Sequence, residues 1–148
     1  MGRAITRRSA IDLARVRAAV EAAERRTSAE LVVSIAPFFV GSVWSAAQRA
    51  FARLGVAQTS QRNGILVFLV PARRQVVVLA DAGALAQVEP SLWPETASRM
   101  AAACGRGDGT GGLIEGIERL ADALSAPFPS GPGDVNELPD QPRTGDAS

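Results

Sequence analysis

The chain contains no histidine, no tyrosine and no lysine; its sixteen basic residues are all arginine. Those absences remove whole classes of mechanism. Without histidine there is no imidazole general base and no imidazole metal ligand. Without lysine there is neither a Schiff base nor a P-loop. Cysteine is nearly missing as well. Cys104 stands alone, so an internal disulfide is impossible and the redox compartment stays undetermined. A thiol with no histidine partner reads as a small buried hydrophobe rather than a nucleophile. No stretch approaches the ~20 apolar residues of a membrane span. The N-terminus, MGRAITRRSAIDLARVRAAV, carries arginines but no continuous apolar segment of the kind a signal peptide needs. The expectations are therefore no membrane insertion and a cytoplasmic location. A formal net charge of +1 gives no bias toward nucleic acid.

What is present describes a soluble globular chain, 47% hydrophobic and 21% charged over 148 residues, long enough for one domain with a hydrophobic core. Leu13, Val16, Val20 and Ala23 mark one face of an amphipathic helix from about Thr6 to Arg26. Thr27-Ser28-Ala29-Glu30 has the form of a capping box. The LVVSIA that follows is β-branched and apolar, so a first strand is predicted there instead. Val43, Ala47, Ala50 and Leu54 mark a second helix, ending near Gly55. Ile65 to Val70 and Gln75 to Ala80 read as strands, and the short Pro71–Arg74 link makes them an antiparallel hairpin with Arg73 and Arg74 at its tip.

After a short helical piece from about Ala84, a helix is expected to open at Trp93-Pro94 with a buried stripe of Ala97, Met100, Ala101 and Cys104. The Gly-rich GRGDGTGG precedes a last helix with Leu113, Ile117, Leu120 and Leu124 on its core face. Residues 1–126 form a single domain on this reading. From Pro127 onward five of the nine prolines gather in an extended or disordered tail. The order α-β-α-β-β-α-α predicts an α/β fold: a three-layer α/β/α sandwich with a small mixed sheet of three to four strands.

Asn63-Gly64 is the strongest short-range hairpin signal, but that requires a strand on both sides. A helix precedes it and a strand follows, so Arg62-Asn63-Gly64 is read as the entry loop to the second strand. A helical crossover joins the first two strands and makes them parallel. Glu30 and Asn63 then start neighbouring strands, and the antiparallel third strand brings Asp81 back to the same edge. Carboxylate and amide oxygens suit a hard cation, calcium or magnesium. Asp108, in the Gly-rich loop, is a further candidate ligand on a side of the molecule that spacing does not fix.

Each residue has a bland alternative. Glu30 is a solvated strand-edge charge, Asn63 bonds its own backbone in an Asx-turn, and Asp81 caps the following helix. Gly107 to Gly112 matches GxGxxG but follows a helix rather than a strand, which weakens a dinucleotide reading. No organic cofactor is expected. Trp44 and Trp93 read as core or rim packing.

The segments AVEAAERRTSAELVV (Ala19 to Val33), AQRAFARLGVAQTSQRNGILVFL (Ala47 to Leu69), Asp81-Ala82-Gly83, Trp93, GLIEGIERLADAL (Gly112 to Leu124), Phe128-Pro129, Asp134 and NELPD (136–140) together resemble the TPM domain family, named for thylakoid-lumen, photosystem II repair and receptor-modulating members. The likeness is to its short bacterial cytosolic branch. The resemblance implies an α/β/α sandwich, a divalent-cation site at the sheet edge in some relatives, and weak acid phosphatase activity in plastid members. It places the family's polar positions on Thr27, Glu30, Thr59, Arg62, Asn63 and Asp81. Three departures thin the implied ligand set: Ala80 stands for the usual glycine, Pro127 for an expected histidine, and GSVW (41–44) lacks the usual acidic residue.

Two functions follow. One is a non-enzymatic binding or regulatory module, tuned by a divalent cation, with an unidentified protein partner for which NELPD offers a docking strip. The alternative is a weak metal-assisted acid phosphatase, in which Arg62, with Thr59, holds the phosphoryl oxygens. Arg62 reads equally as a solvated charge or as a partner of Glu30.

Overall fold

The computed structural model describes residues 10–37, 41–131 and the backbone of 143–144. Three consecutive apolar stretches build the centre. Strand β1 (Glu30–Ile35) and strand β2 (Gly64–Val70) are buried along their whole length, as strands covered on both faces must be. They pair in parallel, with Glu30 opposite Gly64. Strand β3 (Gln75–Ala80) returns antiparallel along β2, with Ile65 opposite Ala80. A 3-10 turn at Pro71–Arg73 closes this hairpin, and Arg74 ends it in the left-handed region at φ 53. A two-residue strand β4 (Arg143–Thr144) lies parallel to the other side of β1, giving the order β3-β2-β1-β4. The mixed sheet and its α/β class agree with the reading from sequence.

Alternation along the strands sorts the core into two layers. Leu31, Val33 and Ile35 of β1, with Ile65, Val67 and Leu69 of β2, face one side. There they meet helix α1 (Leu13–Glu24), helix α4 (Leu92–Gly105) and helix α5 (Gly109–Leu124) through Val16, Val20, Met100, Leu113, Ile117 and Leu120. Val32, Leu66, Phe68 and Val70 face the other side and pack on helix α2 (Val43–Arg53) through Ala46, Ala47 and Ala50. Alanines there let the helix lie close to the sheet. Gly55, at φ 71, ends α2 as expected. The short helix α3 (Ala82–Gln87) follows β3 directly.

Three expectations are corrected. Helix α1 begins at Leu13, because Asp12 takes an extended conformation and its carboxylate accepts the Arg15 N–H at 3.2 Å; residues 6–9 lie outside the described part. Leu13 itself is 42% exposed. Helix α4 buries Trp93, Thr96, Met100 and Ala103, a stripe turned by about one residue from the predicted Ala97, Met100, Ala101 and Cys104. Trp93 sets that frame, because the large indole rather than the small alanines is taken into the core. Of the two places expected for Trp44, core or rim, its 53% exposure excludes the core.

Packing continues past α5. Phe128 is buried, its carbonyl accepts the Ser28 N–H at 2.8 Å, and Pro129 forms an antiparallel bridge with Thr27. The NELPD strip lies outside the described residues. Among those described, no helix is long and apolar enough to cross a membrane.

Candidate functional site

The strand register decides what meets at the end of the sheet. Glu30 pairs with Gly64 across β1 and β2, and the Asp81 N–H donates to the Gly64 carbonyl at 2.9 Å. Glu30, Asn63 and Asp81 therefore share one rim, as the topology predicts. All three are buried, at 5%, 2% and 6% exposure. Burial of this degree argues against a merely solvated Glu30.

The loop from Thr59 to Gly64 is shaped by its own hydrogen bonds. The Thr59 carbonyl accepts the Arg62 N–H at 3.2 Å, and its hydroxyl oxygen accepts the Asn63 N–H at 3.0 Å. Thr59 thus fixes Asn63 from within, where an outward-facing anion contact was expected of it. Asn63 does not bond its own backbone; its buried Nδ2 has no hydrogen-bond partner. Arg62, between them, sits at φ 52, an uncommon conformation for a side-chain-bearing residue. Gly64 does not take a positive φ. Glycine is required there by proximity, because a Cβ would lie 2.1 Å from the Val56 carbonyl oxygen.

The turn at Arg62 aims its guanidinium at Asp81. Nε donates to Oδ2 at 2.5 Å and Nη2 to Oδ1 at 2.9 Å, a two-pronged pairing of fork with carboxylate. Oδ1 also accepts the Ala82 N–H at 2.8 Å, so Asp81 starts α3 as well. The Arg62 hydrogen bonds hold the Asp81 carboxyl below its ordinary range; burial opposes them, and the Ala82 N–H adds to the lowering. The Arg62 guanidinium is raised in turn by the same carboxylate. The Arg62 carbonyl accepts from Gly83 and Ala84 at 2.8 and 3.3 Å. The loop and the start of α3 are thereby clamped together. Arg62 is the partner of Asp81, with its side chain still 56% exposed.

This pair was the main miss of the sequence reading, although a signal existed. In the hairpin Val70 faces Gln75 and Ile65 faces Ala80. Counting one step further brings residue 64 beside 81, with Arg62 two residues away. What sequence did not carry was the left-handed turn that aims Arg62 at the carboxylate.

Thr27 serves the same end of the molecule differently. Its hydroxyl donates to the Phe128 carbonyl at 2.6 Å, lies 3.2 Å from the Leu124 carbonyl, and accepts the Ala29 N–H at 3.1 Å. It ties the C-terminus of α5 to the approach to β1. That contact also places Asp108, which the structure removes from the candidate ligand set. Asp108 caps the opposite end of α5, accepting the Gly111 N–H at 3.2 Å. Sixteen helical residues separate that end from Leu124, about 24 Å at the helical rise per residue.

The other motifs resolve into packing. Gly109 to Gly112 are the first residues of α5. A Cβ at Gly112 would lie 2.4 Å from the Ala103 Cβ, so this glycine lets α4 and α5 approach. Cys104 is half-buried, and burial pushes its thiol pKa up, away from nucleophilic use. A shallow groove on the outer face of α4 and α5 includes Glu95, Arg99 and Arg119. Its arginines are engaged, Arg99 with Glu115 and Arg119 with Glu95.

The rim carries oxygen donors of the kind that hard divalent cations take. It has two buried carboxylates and one amide, all oxygen-bearing. It is sparse, however. Among the described residues no group of three or more histidine, cysteine, aspartate or glutamate side chains is placed to hold a metal, and both Asp81 oxygens already hold Arg62.

A family model for the TPM domain matches residues 9–123. Among solved structures, the chain is similar to the NMR structure of the BA42 protein from the psychrophilic bacterium Bizionia argentinensis. The TM-score is 0.82 at 26% sequence identity, covering 90% of this chain and 94% of that one. Curated proteins gave no match. With the family model spanning most of its length, this chain belongs to the TPM domain family.

Proposed function

We propose that the chain is a non-enzymatic binding or regulatory module that works through the rim, with calcium or magnesium as the ligand of Glu30, Asn63 and Asp81. The observation that supports this is where the buried polar side chains lie. Of the eight among the described residues, Thr27, Glu30, Thr59, Asn63 and Asp81 belong to the rim or its supports; the others are Ser34, Thr96 and Thr110. Thr27, Thr59 and Asp81 are satisfied within the chain, but the Asn63 amide nitrogen is buried without a partner; a buried unpaired polar group costs stability, which favours a binding role at this end. A bound divalent cation would offset the charge of the two carboxylates. Any partner protein would meet the module at this end.

The phosphatase reading draws less support. It asks Arg62 to steady phosphoryl oxygens, and that guanidinium is engaged with Asp81. The composition supplies no histidine or lysine to move a proton.

Thermal unfolding in calcium or magnesium chloride, against sodium chloride of equal ionic strength, tests the proposal. A ligand that binds the folded state stabilises it by about RT ln(1 + [L]/Kd), so Tm rises with its concentration. The expected result is a rise at millimolar cation in the native chain and a smaller one in Asp81→Asn. No rise beyond that of added salt overturns the cation reading. Turnover of an aryl phosphate that is lost in both Asp81→Asn and chelator would establish the phosphatase instead.

A further inference from the structure

We infer that the α2 face of the sandwich docks on an anionic lipid surface, with Arg49, Arg53 and Arg74 toward the phosphates and the Trp44 indole in the headgroup layer. The chain lies on such a surface and does not cross it. This face is separate from the rim and stands whether or not the rim holds a ligand.

Charge is distributed unevenly along the chain. Residues 31–80 hold five arginines and not one aspartate or glutamate, whereas the rest holds eleven arginines against fifteen acids. Arg62 belongs to the rim, where Asp81 engages it. The other four arginines lie on α2 and at the hairpin tip, and all four are exposed. Helix α2 turns Ala46, Ala47 and Ala50 to the sheet, which leaves Trp44, Arg49 and Arg53 on its outer side. A spacing of four aligns the two arginines along that side. The tip extends the same face. The Arg73 guanidinium donates to the Gly41 carbonyl at 2.8 Å, one residue ahead of the Ser42 that caps α2, and Arg74 follows it at φ 53. Trp44, 53% exposed, begins the helix at that corner. From Trp44 to Arg53 the strip is about 14 Å long.

A face with arginines and no acid from its own segment complements negative charge. Among anionic partners, Trp44 favours a bilayer, because an indole has an apolar body and a polar N–H suited to the headgroup boundary. Single-stranded nucleic acid is held by stacking successive bases on several aromatic side chains; among the described residues Trp44 is the exposed aromatic one. A planar surface also engages one face alone and leaves the acid-rich remainder in water. Docked in this way, the chain keeps its rim open. Strand β2 runs from the rim at Gly64 to the tip at Val70, about 20 Å away.

Sedimentation with vesicles of phosphatidylcholine alone, or of phosphatidylcholine with phosphatidylglycerol, tests this. The native chain is expected to sediment with the anionic vesicles, to be released as salt rises, and to ignore the neutral ones. Tryptophan emission shifts to the blue on binding, and the shift reports Trp44 because Trp93 is already buried. The double variant Arg49→Gln/Arg74→Gln is expected to bind about 25-fold more weakly, about fivefold for each arginine. Arg49→Gln/Arg74→Gly, which takes the positive φ without strain, stands in should glutamine disturb the turn. Arg15→Gln/Arg17→Gln makes the same change in net charge at exposed positions of α1, across the sheet, and is expected to bind as the native chain does. Equal loss in the α1 and α2-face variants, equal sedimentation with neutral vesicles, or unmoved emission on binding overturns the proposal. So does failure to bind anionic vesicles, with or without binding to a single-stranded oligonucleotide.

Discussion

Asp81 carries three duties with one carboxylate: it accepts the Arg62 fork, starts α3, and stands at the rim beside Asn63 and Glu30. Its pKa lies below the ordinary value near ~3.9, so folding favours the ionised form. The resulting stabilisation is complete above that value and is lost as pH falls through the lower, folded-state pKa. Urea midpoints of the native chain and Asp81→Asn are therefore expected to differ near neutrality and to converge as pH falls below the ordinary carboxylate range. A gap that stays constant across the acid range would contradict the ion pair as its source. Replacing the residue by alanine also removes a helix cap, worth about 1 kcal/mol on its own. Gly64 is the complementary case. A Cβ there strikes the Val56 carbonyl oxygen at 2.1 Å, and Val56 is itself buried. Gly64→Ala is expected to cost about 3 kcal/mol in urea denaturation; a cost below about 1 kcal/mol would show that the loop yields easily.

At the scale of elements, α4 and α5 are held close by glycines that sequence presents as a nucleotide motif. Gly112 faces the Ala103 Cβ, which is fixed to its backbone, whereas Gly116 faces the end of the flexible Met100 side chain. Gly112→Ala is therefore expected to destabilise by about 2 kcal/mol and Gly116→Ala by less. Thermal or urea unfolding of the two variants checks the order, and the reverse order would contradict it. These helices also show how far sequence could be read. The stripe Leu113, Ile117, Leu120 and Leu124 was legible because four large aliphatic residues recur at helical spacing. The α4 stripe was not, because many of its residues are small and leave the frame of the face open until Trp93 fixes it. Asp108 was legible as a helix-flanking acid but not as a distant one. Its separation from the rim depends on Thr27 meeting the far end of α5, a contact across 97 residues.

The described residues form a sheet with a thick helical layer on one face, an alanine-lined helix on the other, and polar chemistry gathered at one end. That architecture was legible because strand order, crossover and hairpin follow from element order and loop length. The convergence of Glu30, Asn63 and Asp81 followed from strand direction alone. What lay beyond sequence was how the rim is occupied, because the Arg62 turn depends on backbone conformation and on Gly83 admitting its carbonyl. The rim as the functional end is tested most directly by mapping amide shifts of the native chain during calcium titration at constant ionic strength. The account predicts changes confined to the segments around Thr27–Glu30, Thr59–Gly64 and Ala80–Gly83, with Asp108 unmoved. Shifts centred on Asp108 or on the α4–α5 groove, or no saturable shift at all, would contradict it.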